Sequence, residues 1–302
     1  MNNHYGLSLM NSFNFSNFIK ILNANHVFLV SNRDITVKPF LYGEDFYIHG
    51  ITSKLEKYGI SVDYAILQGK KIKYKGQNAT VNIGDIVNEH SVIILHNVSP
   101  FYALKAKIKK KVRIVMPVYF LWNKSSSLKD TFRTSFGVLF WQPVIDVYLV
   151  PSPNLAVALK KRGIIRPIMV LPPEYKCPYC DYTDNLKKRM KLERQLPRVV
   201  KAVYIGSLQP RRLPLKKVLE TLNRDEQRTY RLTIFTASKV KEESYRIGNA
   251  EVNICRRILS GEEKCKILRE SHVFIAPAKG TTMEPSISVI EAEYHGNIIA
   301  RF

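Results

Sequence analysis

Long hydrophobic runs are missing from this sequence. Its most apolar stretches are 112–122 and 136–150. The first falls far short of the ~20 residues a membrane-spanning helix needs, and Gln142, Pro143 and Asp146 interrupt the second. No transmembrane helix is expected. Cysteine is equally scarce: four in 302 residues exclude the dense disulfide framework of a small secreted domain. Met1 to Lys20 mixes Asn, Ser and Phe with no basic cluster leading into an apolar core, so no signal peptide is read there. These absences imply a cytoplasmic chain, in which the Asn-x-Ser/Thr triplets at Asn14, Asn78, Asn97 and Asn123 are chance. With 14 Gly and 15 Pro, neither in a repeat, collagen-like and low-complexity classes are excluded too.

Acidic residues are the other shortage. There are 25 Asp+Glu against 47 Lys+Arg, a net charge of +22 and a pI near 9.8. Such an excess suits nucleic acid, anionic lipid or an anionic substrate. The basic residues gather at Lys70–Lys75, Lys105–Arg113, Lys160–Arg166, Lys187–Arg194 and Arg211–Lys217, spread over the whole chain. No zinc finger, basic zipper or RNP-type aromatic strand accompanies them, so no specific nucleic-acid partner is expected. The charge implies affinity for anions without choosing the anion.

What is present is an alternation of apolar strand-length runs with amphipathic stretches. Strands are read at His26–Ser31, Val62–Leu67, Val92–His96, Arg113–Val118, Ile145–Val150 and Pro167–Leu171. Helices are read at Phe46–Tyr58 (closed by Gly59), near Tyr102–Lys110, near Leu128–Leu139, and from a Ser152 cap to Lys161. Pro172–Pro173 and a polar run to Gln195 break the pattern. Beyond it come strands at Val199–Ile205, Leu232–Thr236, Glu251–Cys255, His272–Ala276 and Asn297–Ala300. Helices follow from Pro214, from the capping box Ser260-x-x-Glu263, and over Ser286–His295 before Gly296. Near-continuous apolar strands joined through helices predict parallel sheets covered on both faces. The expected fold is α/β: two doubly wound, Rossmann-like domains at 1–172 and 198–302 facing a cleft, joined by a linker at 173–197.

In doubly wound domains ligands bind beyond the carboxyl ends of the strands. Two loops of the second half stand there. Gly206-Ser-Leu-Gln-Pro-Arg-Arg-Leu213 lies between a strand and a helix N-terminus, where Arg211 and Arg212 add charge-assisted donors for a diphosphate. Ala278-Lys-Gly-Thr-Thr-Met-Glu-Pro-Ser286 leads into a second helix N-terminus formed by Ser286, Ile287 and Ser288. Glu291 shares the helix face of Ile287 and Ser288, and Glu284 stands in the loop within reach of sugar hydroxyls.

Val203 to Phe302 resembles the donor-binding domain of a GT-B glycosyltransferase, specifically family four, the retaining group similar to glycogen synthases and mannosyltransferases. The residues that carry the likeness are Tyr204-Ile-Gly206, Arg212, Val273-Phe-Ile-Ala-Pro277, Glu284, Glu291-Ala292 and Gly296. In the first half Gly43-Glu44, Leu55 to Gly59, His96-Asn97, Val150-Pro-Ser152 and Val170-Leu-Pro-Pro173 fall in family order. The sequence departs from the pattern at Ser207, Arg212 and Leu213, where the family has Arg, Lys and Gly. Six residues rather than seven separate Glu284 from Glu291, and Tyr119-Phe-Leu-Trp122 stands where many members carry an active-site His. The likeness implies at least one more strand and a returning helix beyond Phe302, so the second domain is expected to be shortened.

The resemblance implies transfer of a sugar from a nucleotide-diphosphate donor to an acceptor hydroxyl, a hexosyl transfer with retention, needing no metal and no cofactor besides the donor. It implies donor contacts from Gly206, Ser207, Arg211, Arg212, Ser286, Ile287, Ser288 and Glu291, with Glu284 orienting the sugar. His96, at the end of its strand, is the second catalytic candidate. The first domain would hold the acceptor, a glycan, lipid or protein, and its basic clusters suit an anionic membrane surface on which the enzyme rests peripherally. Two alternatives stay open: a glycosyltransferase-like binding protein without transfer, and a basic nucleic-acid-binding protein.

Cys177-Pro-Tyr-Cys180 has the spacing of a thiol–disulfide active site, but it lacks the preceding strand and sits in the interdomain stretch. It also matches half of a zinc site completed by Cys255 and Cys265, although those two are ten apart rather than a close pair. The remaining readings are a local structural disulfide, of the kind hyperthermophiles keep inside cells, or simply two thiols.

Overall fold

The computed structural model describes residues 15–36, 43–68, 71–74, 77–80, 83–119, 140–175, 177, 179–278 and 286–302. The expected helix near 128–139 and Glu284 lie outside them. The chain divides into two compact units at Pro173/Glu174, each built on its own sheet.

The described elements of the first unit are α1 (Phe15–Leu22), β1 (His26–Ser31), α2 (Gly43–Lys57), β2 (Ser61–Gln68), β3 (Lys71–Tyr74), β4 (Gln77–Thr80), α3 (Ile83–Ile86), β5 (Val92–His96), α4 (Phe101–Lys110), β6 (Arg113–Pro117), β7 (Val147–Val150), α5 (Pro153–Lys161) and β8 (Ile168–Val170). The sheet order is β4-β3-β2-β1-β5-β6-β7-β8. Neighbours from β2 to β8 run parallel, while β3 and β4 add an antiparallel edge. The burial explains the difference. All five residues of β5 (VIILH) are buried, as a strand covered on both faces requires. In β3 (KIKY) only Ile72 is buried, so the strand alternates, as a strand with one covered face does. That hairpin lies in a stretch read from sequence only as a basic cluster.

Local chemistry sets the ends of these elements. Gly59 adopts φ +79°, which lets the Ile60 N–H bond back to the Leu55 carbonyl at 3.0 Å and stop α2. Ser152 caps α5 through the Leu155 N–H, with Pro153 at the first helical position.

The described elements of the second unit are α6 (Tyr182–Arg194), β9 (Val199–Ile205), α7 (Leu215–Asn223), β10 (Thr229–Phe235), β11 (Glu243–Ile247), β12 (Ala250–Cys255), α8 (Gly261–Glu270), β13 (Val273–Ile275), α9 (Ile287–Tyr294) and β14 (Ile298–Ala300). Their order is β11-β12-β10-β9-β13-β14, parallel except for β11 against β12. Side chains of β9 alternate between two cores. Ala202 and Tyr204 join Leu219 and Leu222 on one face, and Val203 joins Leu268, Phe274 and Ala292 on the other. The capping box at the head of α8 is present in full, Ser260 N–H to Glu263 Oε2 at 2.9 Å and Glu263 N–H to Ser260 Oγ at 3.2 Å.

From Glu174 on, the 173–197 stretch, expected as a linker, falls within the second unit and carries α6. Asp181 caps it by accepting the Thr183 N–H at 2.7 Å. Lys188 fastens it by donating to the carbonyls of Leu268 at 2.9 Å and His295 at 3.1 Å. Its approach to the C-terminus of α9 is close: a Cβ on Gly296, which adopts φ +73°, would stand 2.1 Å from the Asn185 carbonyl oxygen.

Candidate functional site

At the carboxyl end of β9, Gly206 continues the ladder with its N–H on the Phe235 carbonyl at 3.0 Å. A side chain there would meet the Tyr204 hydroxyl at 2.9 Å, so glycine lets the turn close over that ring. The Tyr204 hydroxyl donates to the Ser207 carbonyl at 2.9 Å, and burial pushes its pKa up to about 12 against a pull from Arg212. Ser207 Oγ and the Leu208 N–H both meet Ser238 Oγ, at 3.3 and 3.2 Å. Ser238 follows β10, so the turn is tied to its neighbouring strand's end. The Arg211 guanidinium is exposed, with Nε on Gln209 Oε1 at 3.1 Å.

Arg212 is placed differently. Its carbonyl accepts the Ala278 N–H at 2.8 Å, which brings the turn after β9 against the segment after β13. Its Nε is buried and has no hydrogen-bond partner among the described residues.

Across the same sheet edge, Ser286 caps α9 by accepting the Val289 N–H and lies 3.3 Å from Ser288 Oγ. Ile287 is buried, Ser288 half-buried. The first-turn N–H groups of such a helix have no intrahelical acceptor and favour an anion. Glu291 is buried one turn on, and both of its carboxylate oxygens accept from Lys264 Nζ of α8 at 3.0 Å. Burial raises its pKa, and the lysine opposes that shift. Thus the structure gathers Gly206, Ser207, Arg211 and Arg212 in one turn, and Ser286, Ile287, Ser288 and Glu291 on one helix. Lys264 and Ser238 are neighbours that sequence reasoning missed. Nothing in the spacing of Lys264 marks it, since its partner lies 27 residues away and meets it only through packing.

His96 ends β5 in the first unit, level with Ser31 of β1. It is fully buried, its Nε2–H donating to Asp45 Oδ1 at 2.7 Å while Tyr119 donates its O–H to Nδ1 at 2.5 Å. Asp45 also accepts from Arg33 at 3.2 Å, and Arg33 reaches Glu44 at 3.4 Å. Burial drives the Tyr119 hydroxyl well above the ordinary phenol range, so it stays a donor. The imidazole has no exposed atom to offer a substrate in this arrangement. It ties the end of β5 to the start of α2 through Asp45, which with Glu44 also holds Arg33 beyond the end of β1.

No protein-family model matches the chain, and no curated protein sequence matches it. Solved structures do. Anabaena Alr3699/HepE in complex with UDP superposes with a TM-score of 0.55 at 11% identity, covering 91% of this chain and 79% of that one. The E. coli trehalose-6-phosphate structure bound with UDP-2-fluoro glucose gives 0.54 at 12%, covering 88% and 81%. A trehalose-6-phosphate synthase studied with bisubstrate glycomimetics gives 0.55 at 11%, covering 91% and 83%. These are GT-B glycosyltransferases. The chain has the GT-B fold. The expected pair of Rossmann-like α/β units is therefore present, with the antiparallel strands at two sheet edges as additions to it.

Proposed function

We propose that this GT-B protein is a glycosyltransferase that moves a hexosyl group from a nucleotide-diphosphate sugar to an acceptor hydroxyl, with retention of configuration. The observation that carries the reading is the junction at Arg212, with its buried, unpartnered Nε where the turns after β9 and β13 meet. A buried N–H without an acceptor costs about 1–3 kcal/mol, and a diphosphate oxygen would remove that cost. The solved GT-B structures that carry UDP or a UDP-sugar support the same ligand class.

In this reading Arg212 and the first-turn amides of α9 stabilise the departing diphosphate, with Gly206, Ser207, Arg211, Ser286 and Ser288 around it. The anomeric C–O bond to the diphosphate breaks, a bond to the acceptor oxygen forms, and the acceptor's proton passes to the released diphosphate. Glu291 would accept from the ribose: Lys264 takes one lone pair on each carboxylate oxygen and leaves others. Glu284 would hold the sugar hydroxyls. The acceptor, a glycan, lipid or protein, belongs to the first unit.

The peripheral membrane reading rests on α4. Phe101 and Ile108, 64% and 72% exposed, lie at helical spacing with the exposed Lys105 and Lys109. An apolar face set among lysines suits an anionic lipid surface. No helix among the described residues is long and apolar enough to cross a membrane.

Thermal unfolding with a panel of nucleoside diphosphates and their sugars tests the donor site. A ligand at 100 times its Kd stabilises by ~2.7 kcal/mol, and Arg212→Ala should abolish that shift. A wild-type protein indifferent to every diphosphate, or an Arg212→Ala variant that keeps the full shift, would overturn the proposal. A shift without sugar transfer to any acceptor would favour a binding protein.

A further inference from the structure

Three cysteines and one histidine, distant in sequence, converge in the second unit. Cys177 and Cys180 precede α6, Cys265 lies in α8, and His295 is the C-cap of α9. One ligand atom from each falls within 4.8 Å of all the others. Cys177, Cys265 and His295 are buried, and Cys180 is half-buried. None of the four cysteines of the chain is in a disulfide, and Cys255, expected as a partner, is not in the group. The sequence had offered the close pair with Cys255 and Cys265; the fold keeps Cys265, from one helix, and puts His295, from another, where Cys255 was expected.

The histidine carries a second, independent sign. Its Nδ1–H donates to the Glu291 carbonyl at 2.6 Å, which fixes the tautomer and leaves a lone pair on Nε2. Nε2 is buried, with no hydrogen-bond partner among the described residues. A fully buried imidazole with one nitrogen oriented by a carbonyl and the other unpaired beside three sulfurs has the form of a metal ligand. The sulfurs are supported as well. The Tyr179 N–H points at Cys177 Sγ and the Asn185 amide at Cys180 Sγ, each at 3.4 Å.

We infer that Cys177, Cys180, Cys265 and His295 bind one zinc ion in a closed structural site. Cys3His is an established ligand set for structural zinc, tetrahedral with Zn–S near 2.3 Å and Zn–N near 2.0–2.1 Å. That geometry sets ligand atoms roughly 3.5–3.8 Å apart, so these side chains need move only about 1 Å. Three thiolates, a neutral imidazole and Zn²⁺ leave one negative charge. Lys188 stands beside it, on the His295 carbonyl at 3.1 Å. All four protein ligands fill the tetrahedron, so the ion would keep no open position for substrate. Its work is to fasten the 177–180 turn to α8 and α9. The inference stands on these ligands alone, independent of the proposed sugar transfer, and it departs from the expectation of a metal-free chain.

The full chain, purified without chelator from zinc-supplemented medium, should carry one zinc per molecule by elemental analysis. A thiol-blocking mercurial should release that zinc. Cobalt loading should give thiolate-to-cobalt charge-transfer absorption with tetrahedral ligand-field bands. Cys255→Ser should keep full zinc, whereas Cys180→Ser and His295→Asn should lower zinc affinity at least 100-fold in a chelator competition. Should those variants fail to fold, the stoichiometry and cobalt spectrum of the wild-type protein still decide. Wild-type protein with less than a tenth of an equivalent of zinc would overturn the inference. So would iron with acid-labile sulfide in its place, or Cys180→Ser retaining wild-type affinity.

Discussion

Lys264 Nζ lies 3.0 Å from each carboxylate oxygen of Glu291, joining α8 to α9 through a pair whose acidic partner is almost entirely buried. Removing one member of such a pair strands the other charge in a low-dielectric site, at about 3–5 kcal/mol. Lys264 keeps a quarter of its side chain in solvent, so Lys264→Met should fall at the lower end, near 3 kcal/mol. In urea unfolding, adding Glu291→Leu should recover most of that loss, because the buried charge is then gone. A Lys264→Met variant as stable as wild type would mean that the pair is solvated.

Much of this second unit could be read from sequence where a local rule carries the signal. The capping box at Ser260–Glu263 and the left-handed Gly296 at the end of α9 need only neighbouring residues and stand as expected, as does Gly59 at the end of α2 in the first unit. The Gly206–Leu213 turn between β9 and α7 was legible as a turn for the same reason. The helix α6 was not, because only Asn185 and Leu192 of its thirteen residues are buried. Its charged surface reads as linker. The Lys264–Glu291 pair and the place of His295 beside Cys177, Cys180 and Cys265 were invisible because packing alone creates them, whereas Cys265 was already a candidate in the sequence. His96 shows the reverse case: its place at a strand end was legible, but Asp45 and Tyr119, which occupy its nitrogens, come from other elements.

Those two bonds make a second test. Asp45→Ala removes the acceptor from a fully buried imidazole N–H, at about 1–3 kcal/mol, and takes away one of the carboxylates that Arg33 pairs with. Tyr119→Phe removes only a donor and should cost ~1 kcal/mol. Nitrogen chemical shifts of His96 in the wild-type protein should report a proton on Nε2. A proton found on Nδ1 would reverse the hydrogen-bond order drawn here.

His272 supplies a pH dependence. Its Nδ1 accepts the Lys201 N–H at 3.0 Å, a bond only the neutral ring can make. Burial lowers its pKa below 6.5, assisted by the charges of Lys188 and Lys201. The folded state therefore binds fewer protons than the unfolded one. The stability His272 contributes is complete above the unfolded value and is lost as pH falls through about 6.5 toward the folded value. Unfolding midpoints between about pH 5.5 and 7.5 should rise with pH, and His272→Asn, which keeps an acceptor but does not titrate, should reduce that slope. An equal slope in the variant would assign the dependence to other groups.

The exposed face of α4 makes the membrane reading quantitative. Of its lysines, Lys107 pairs with Asp146, and Lys110 donates to the Val87 carbonyl at 2.7 Å. Lys105 and Lys109 face solvent beside Phe101 and Ile108. Each basic residue near an anionic surface adds about 1 kcal/mol, so replacing Lys105 and Lys109 together by Ala should weaken vesicle binding by ~2 kcal/mol, about 30-fold. Ile108→Asp should act in the same direction by removing inserted apolar surface and adding repulsion. Both substitutions lie on an exposed face and should leave the unfolding midpoint unchanged. Sedimentation with phosphatidylglycerol vesicles against phosphatidylcholine vesicles reads the effect. Equal binding to the two, or no loss in the double variant, would remove α4 from the proposal and leave its charge as a solvated helix face.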